Sequence, residues 1–84
     1  MAKKTVAWSP QARADIRGID KTTAIQILET INRYLSTGAG DVKKLRERPE
    51  LRLRAGDYRV LFEPRGEGAI EVSRVRHRRE AYRD

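Results

Sequence analysis

A chain of 84 residues with a formal net charge of +7 and a pI near 10.4 has room for one small domain, here residues 1–84, and favours a polyanionic partner. It has no cysteine and a single histidine, His77, which excludes a disulfide framework, a thiolate metal site and a multi-histidine metal cluster. No apolar run approaches membrane-spanning length and "MAKKTVAW" lacks a signal peptide's apolar core, so a soluble cytoplasmic protein without membrane association is expected.

In chain order, "KTVAW" reads as a first strand. "SPQARADIRGID" follows as a helix, with Ser9 as N-cap, Pro10 in the first turn and Gly18 near the end. Ala12, Ile16 and Ile19 make its apolar stripe. Asp20 caps a longer helix, "KTTAIQILETINRYLS", in which Ala24, Ile27, Leu28, Ile31 and Leu35 recur at helical spacing. "TGAGD" breaks it. "VKKLRERPE" reads as a connection anchored by a buried Leu45. "LRLR" and "YRVLFE" form a hairpin across "AGD", where Gly56 can take a positive φ. Pro64 ends that strand and "AIEVSRVRH" forms the last one, before a helical or irregular tail, "RREAYRD".

The expected fold class is therefore α+β: an N-terminal strand, an αα-hairpin, then an antiparallel β-meander, with one sheet covered by helices on one face. Leu51, Leu53, Val60, Phe62, Ile70 and Val72 belong on the covered side, and Arg52, Arg54 and Arg59 on the other. Strict alternation conflicts at two places. Leu61 shares parity with Arg59, and Arg74 and Arg76 share parity with Ile70 and Val72. A bulge near Ser73 resolves the second conflict by turning both arginines outward.

The charge is uneven. From Lys43 onward there are thirteen Lys or Arg against eight Asp or Glu, and after Lys44 every fixed positive charge is an arginine. A guanidinium grips phosphate at two points and stacks on bases, which an ammonium does not. Arginines alternating along a sheet face therefore suit a polyanionic partner: RNA, DNA or an acidic protein. Each also has a plainer reading: Arg59 can pair with Glu63 or Asp57, Arg52 and Arg54 can be solvated strand residues, and Tyr58 and Trp8 are packing residues.

"VAWSPQARADI", "DVKKLRERP", "LRLRAGDYRVLFE" and "VRHRREAYR" together resemble the RelE/ParE superfamily of toxins from type II toxin–antitoxin modules, in that order and over nearly the whole chain. The resemblance implies the RelE-like microbial RNase fold. RelE-like members cut mRNA in the ribosomal A site; ParE-like members poison DNA gyrase without catalysis. The RelE-like branch is favoured, because the cationic and aromatic set it uses has counterparts here: Arg52, Arg54 and Arg59 on the sheet, then Arg78 and Tyr82. This implies a metal-independent, cofactor-free endoribonuclease acting on ribosome-bound mRNA, with Arg52, Arg59, Arg78, Tyr82 and His77 catalytic. Arg54, Arg74, Arg76, Arg79 and Arg83 are then RNA-binding. It implies a cognate antitoxin and a toxin–antitoxin hetero-oligomer as well. Some RelE-like members carry lysine at the position of Arg52, and arginine is a poor general base, which leaves His77 or Tyr82 to accept the proton. The alternatives are a ParE-type gyrase inhibitor and a binding module whose nuclease site has decayed.

Overall fold

A computed structural model describes residues 5–66 and 68–80. Seven elements follow in order: β1 (Thr5–Trp8), α1 (Pro10–Arg17), α2 (Lys21–Thr37), β2 (Val42–Lys44), β3 (Leu51–Ala55), β4 (Tyr58–Pro64) and β5 (Ala69–His77). They build a five-stranded sheet in the order β1-β5-β4-β3-β2. β1 runs parallel to β5 and every other pairing is antiparallel.

Both helices start as the sequence dictates. The Ser9 hydroxyl accepts from Ala12 N at 3.0 Å, and Pro10 occupies the first turn, where a missing N–H costs nothing. The Asp20 carboxylate accepts from Thr23 N at 3.0 Å, and hydrogen bonding from Thr23, its side chain first and its backbone N–H second, holds the carboxyl below the usual range. α1 ends at Gly18 and α2 at a left-handed Gly38.

One expectation needs correction. Val42–Lys44 is a strand, not a connection: Val42 pairs with Leu53, Lys43 with Arg52 and Lys44 with Leu51. Three residues with two lysines give little strand signal on their own, and the pairing comes from the partner strand. Leu45, just beyond, is buried as expected. Gly40 brings the chain into this edge: its φ is 148°, and an added Cβ would lie 2.9 Å from Leu53 Cδ1. Gly56, at φ 60°, makes the β3–β4 turn.

The core lies between the sheet and the helix pair. Ala12, Ile27 and Ile31 pack with Leu53, Ala55, Val60, Phe62, Ile70, Val72 and Val75, and the Tyr34 ring tilts onto Phe62 at 5.4 Å. Trp8 joins this cluster as a half-buried neighbour.

Along β5 the ladder skips one residue. Leu61 pairs with Arg74 but Phe62 pairs with Val72, so Ser73 is the extra residue of a bulge. Val72 and Val75 thereby both face the core, and Arg74 and Arg76 turn to the uncovered side, as the alternation demanded. The beginning of the helix hairpin holds the bulge in place. Ser9 Oγ donates to Ser73 O at 2.8 Å, and Ser73 Oγ donates to Leu61 O at 3.1 Å. The Asp15 carboxylate accepts from Val75 N at 2.8 Å and from Arg74 Nε at 2.9 Å. Here β5 has run past the end of β1, whose last pair is Trp8 with Val72, and Asp15 takes over the donor of the free edge.

Asp15→Ala leaves the Val75 N–H without an acceptor and Arg74 without this carboxylate, a loss of about 1–3 kcal/mol. For a chain of this size the melting temperature is expected to fall by roughly 5–15 °C, and by less in Asp15→Asn. An Asp15→Ala protein that melts with the wild type contradicts this account of the bulge.

Candidate functional site

The uncovered face is built by register. Arg54 on β3 is directly opposite Arg59 on β4, and Arg59 is directly opposite Arg76 on β5. Three arginines thus form a row across three adjacent strands, with steps of about 4.8 Å set by strand spacing. A second row runs Lys43, Arg52, Leu61, Arg74. Leu61, only 2% exposed, is buried although it lies on this face. Its paired neighbours Arg52 and Arg74 are the long side chains placed to cover it.

Like charges directly across a sheet repel, and an arrangement of this kind is unfavourable unless an anion joins it. Arg59 registers the repulsion. Burial, followed by the charges of Arg54 and Arg52, lowers its proton affinity below the usual arginine value; Asp41 acts in the opposite sense and Arg78 adds a smaller lowering. Its guanidinium stays charged all the same, and donates to Tyr58 O at 3.3 Å. Neither Glu63 nor Asp57 pairs with it among the described residues.

Arg78 reaches the group through the chain's path. Its N–H donates to Asp57 O at 2.7 Å, which docks the end of β5 on the β3–β4 turn, and its Nε stands 4.0 Å from Asp57 Oδ1. Arg52 is mostly covered, with 18% of its side chain exposed; its Nη2 lies 3.7 Å from Asp41 Oδ1 and its buried Nε has no hydrogen-bond partner among the described residues. Arg79 is exposed, beyond the end of β5. At the opposite end of the face the charge is neutralised: Glu63 and Glu71 pair across β4 and β5, and Arg65 bonds both.

Two expected site residues are not part of this group. His77 pairs with Tyr58, whose ring it meets edge-on at 5.2 Å, and both share parity with Val60 and Val75 on the helix-covered face. Its Nδ1 accepts from Arg79 N at 3.2 Å. The bulge that turns Arg76 outward turns His77 inward, so His77 stands across the sheet from the arginines. Arg74 lies on the right face, but it is held by Asp15 and serves the bulge. Tyr82 and Arg83 lie outside the described residues.

The residue missed by sequence reading is Asp41. Its backbone carbonyl accepts from Arg54 N at 2.9 Å, and its carboxylate stands beside Arg52. The signal was present in "GDVKK", but it could be read only once that stretch was recognised as a strand antiparallel to "LRLRA".

The family described as the ParE toxin of the type II toxin–antitoxin system, parDE, matches residues 6–82. No curated protein matches the chain. Among solved structures, the archaeal RelE-RelB complex from Pyrococcus horikoshii OT3 is similar at 22% identity and TM-score 0.72, covering 93% of this chain and 98% of that one. The YoeB-YefM complex from Staphylococcus aureus is similar at 20% identity and TM-score 0.71, covering 90% and 98%. The intact RelBE toxin-antitoxin complex from E. coli is similar at 20% identity and TM-score 0.70, covering 96% and 100%. At these identities the likeness establishes the fold.

If the arginine row contacts phosphates, removing one arginine should remove about one contact from the salt dependence of single-stranded RNA binding, roughly 0.7 in the slope of log K against log salt. Arg54→Ala, Arg59→Ala and Arg76→Ala should each show it. Arg65→Ala, at the neutralised end, should not. Equal slopes for all four variants contradict the placement of the site.

Proposed function

The chain belongs to the ParE toxin family of type II toxin–antitoxin systems, and from that premise we propose that its arginine face is the nucleic-acid site of an endoribonuclease that cuts ribosome-bound mRNA in the cytoplasm. The observation that carries this reading is the Arg54–Arg59–Arg76 row on the face left uncovered by the helices. Three forked donors in line suit successive phosphates of one strand better than they suit a single small anion.

In the reaction, the ribose 2′-hydroxyl gives up its proton to a base and its oxygen attacks the adjacent phosphorus, the bond to the 5′-oxygen breaks and that oxygen takes up a proton from water, and the products are a 2′,3′-cyclic phosphate and a 5′-hydroxyl. Charge grows on the phosphate oxygens as the new bond forms. Arg59, at the centre of the row and partly withdrawn from water, is assigned to that charge. Arg52 and Arg78 flank it, and swinging Arg52 onto a phosphate would give its unpartnered Nε an acceptor. Of the two proton acceptors considered, His77 stands across the sheet, which leaves Tyr82, as the phenolate that nearby arginines would favour, for that role, or its ring for stacking a base in line for attack. No metal or cofactor enters this scheme.

The partner is proposed to be a cognate antitoxin, in keeping with the toxin–antitoxin complexes that the fold resembles. Its carboxylates would neutralise the row in a hetero-oligomer.

A second reading has its own support. The matching family is the ParE toxin, and a ParE-type gyrase inhibitor needs no proton acceptor among the arginines. The two are separated in one set of assays. In a reconstituted translation mixture the wild type should cut mRNA within ribosomes, and Arg59→Ala should lose about 10²–10³ in rate, or 2.7–4 kcal/mol. The variant's fold should survive, because losing a charge that its neighbours repel changes stability by less than about 1 kcal/mol. Intact mRNA together with blocked gyrase supercoiling would overturn the nuclease reading in favour of the second.

A further inference from the structure

We propose that the Asp41 carboxylate reads the ribose 2′-hydroxyl, and so makes this face select RNA over DNA. The inference rests on the reading of the arginine row as a nucleic-acid site and concerns which nucleic acid it takes.

Every arginine in the row is a donor only. Donors hold phosphate, and phosphate is common to RNA and DNA. The group that separates the two is the 2′-hydroxyl, which needs an acceptor to be read as a donor. Asp41 supplies one at the correct place. The pairing of Val42 with Leu53 and Lys43 with Arg52 continues to Asp41 beside Arg54, and Arg54 N donates to Asp41 O at 2.9 Å. By strand alternation Asp41 shares the face of Lys43, Arg52 and Arg54. The 2′-hydroxyl is carried on the carbon next to the one bearing the 3′-phosphate, so its reader must stand at the edge of the phosphate row, where Asp41 is.

The carboxylate is open to a ligand. Its side chain is 56% exposed, and 3.7 Å to Arg52 Nη2 is too long for a hydrogen bond. Its charge also opposes the combined effect of Arg54 and Arg52 on Arg59. A negative group in a phosphate site weakens phosphate binding wherever it stands. Its presence here is understandable if it makes a contact that no arginine can make. Asp57, another carboxylate near this group, lies in the β3–β4 turn beside Arg78.

The test is a binding titration at one fixed salt concentration, with a labelled single-stranded RNA, the DNA of the same sequence, and 2′-fluoro RNA, which keeps the ribose pucker but cannot donate. The wild type should bind RNA roughly tenfold more tightly than either of the others, the effect of one modest hydrogen bond to a charged acceptor. Asp41→Ala should bind DNA and 2′-fluoro RNA more tightly, with the RNA preference reduced to about twofold or less. Asp41→Asn keeps an acceptor oxygen and should keep part of the preference. If Asp41→Ala preserves the wild-type ratio, or 2′-fluoro RNA binds as RNA does, the inference is overturned while the phosphate site stands. If the wild type binds none of the three, the phosphate reading fails and the inference fails with it. Asp41 is exposed and its backbone bond is retained in both variants, so matching melting curves will confirm that each is folded.

Discussion

The extra residue at Ser73 decides which side chains of β5 meet the helices and which lie on the uncovered face. Without it, Arg74 and Arg76 would point into the core, and Val75 would point out. A buried unpaired guanidinium is among the costliest errors a small domain can make. With the bulge, Arg76 completes the row begun by Arg54 and Arg59, and His77 turns to the covered side. The arginine face thus depends on α1 and its cap, because Ser9 bonds the bulged residue's carbonyl and Asp15 takes up the Val75 N–H that β5 exposes past the end of β1. The same segment that starts the first helix also fixes the geometry of a site on the far side of the sheet.

The site itself is a balance of like charges. A row of three arginines on paired positions is unfavourable in isolation, and burial of Arg59 deepens the effect. An anion placed on such a face would offset the repulsion among its arginines. The far end of the face shows the contrast. Glu63, Arg65 and Glu71 neutralise one another there, which confines the positive field to the end formed by β2, β3 and the terminus of β5.

Much of this was legible in the sequence because the patterns were strong. Ser9-Pro10 and Asp20 mark the helix starts, the apolar stripes of α1 and α2 mark the buried faces, and "LRLRAGDYRVLFE" states both strands and the turn. Even the bulge followed from parity, since Arg74 and Arg76 could not share a face with Ile70 and Val72. Three features were hidden. β2 has too few residues for a period and exists through its pairing with β3. The line-up of Arg54, Arg59 and Arg76 depends on register, which sequence spacing does not give across a bulge. His77, the only histidine, stood with Tyr82 as a candidate proton acceptor, but position on a strand and not residue type decides which face it takes.

The central claim is that phosphates of a single RNA strand lie along the Arg54–Arg59–Arg76 row. It is tested most directly by NMR, following arginine Nε–H signals and backbone amides as a non-cleavable RNA is added. The account predicts that the Nε–H signals of Arg54, Arg59 and Arg76 move together and saturate at one RNA concentration, while those of Arg65 and the ring protons of Tyr58 and His77 stay in place. Shifts concentrated on the helix-covered side, around Tyr58 and His77, with the three arginines unmoved, would contradict it.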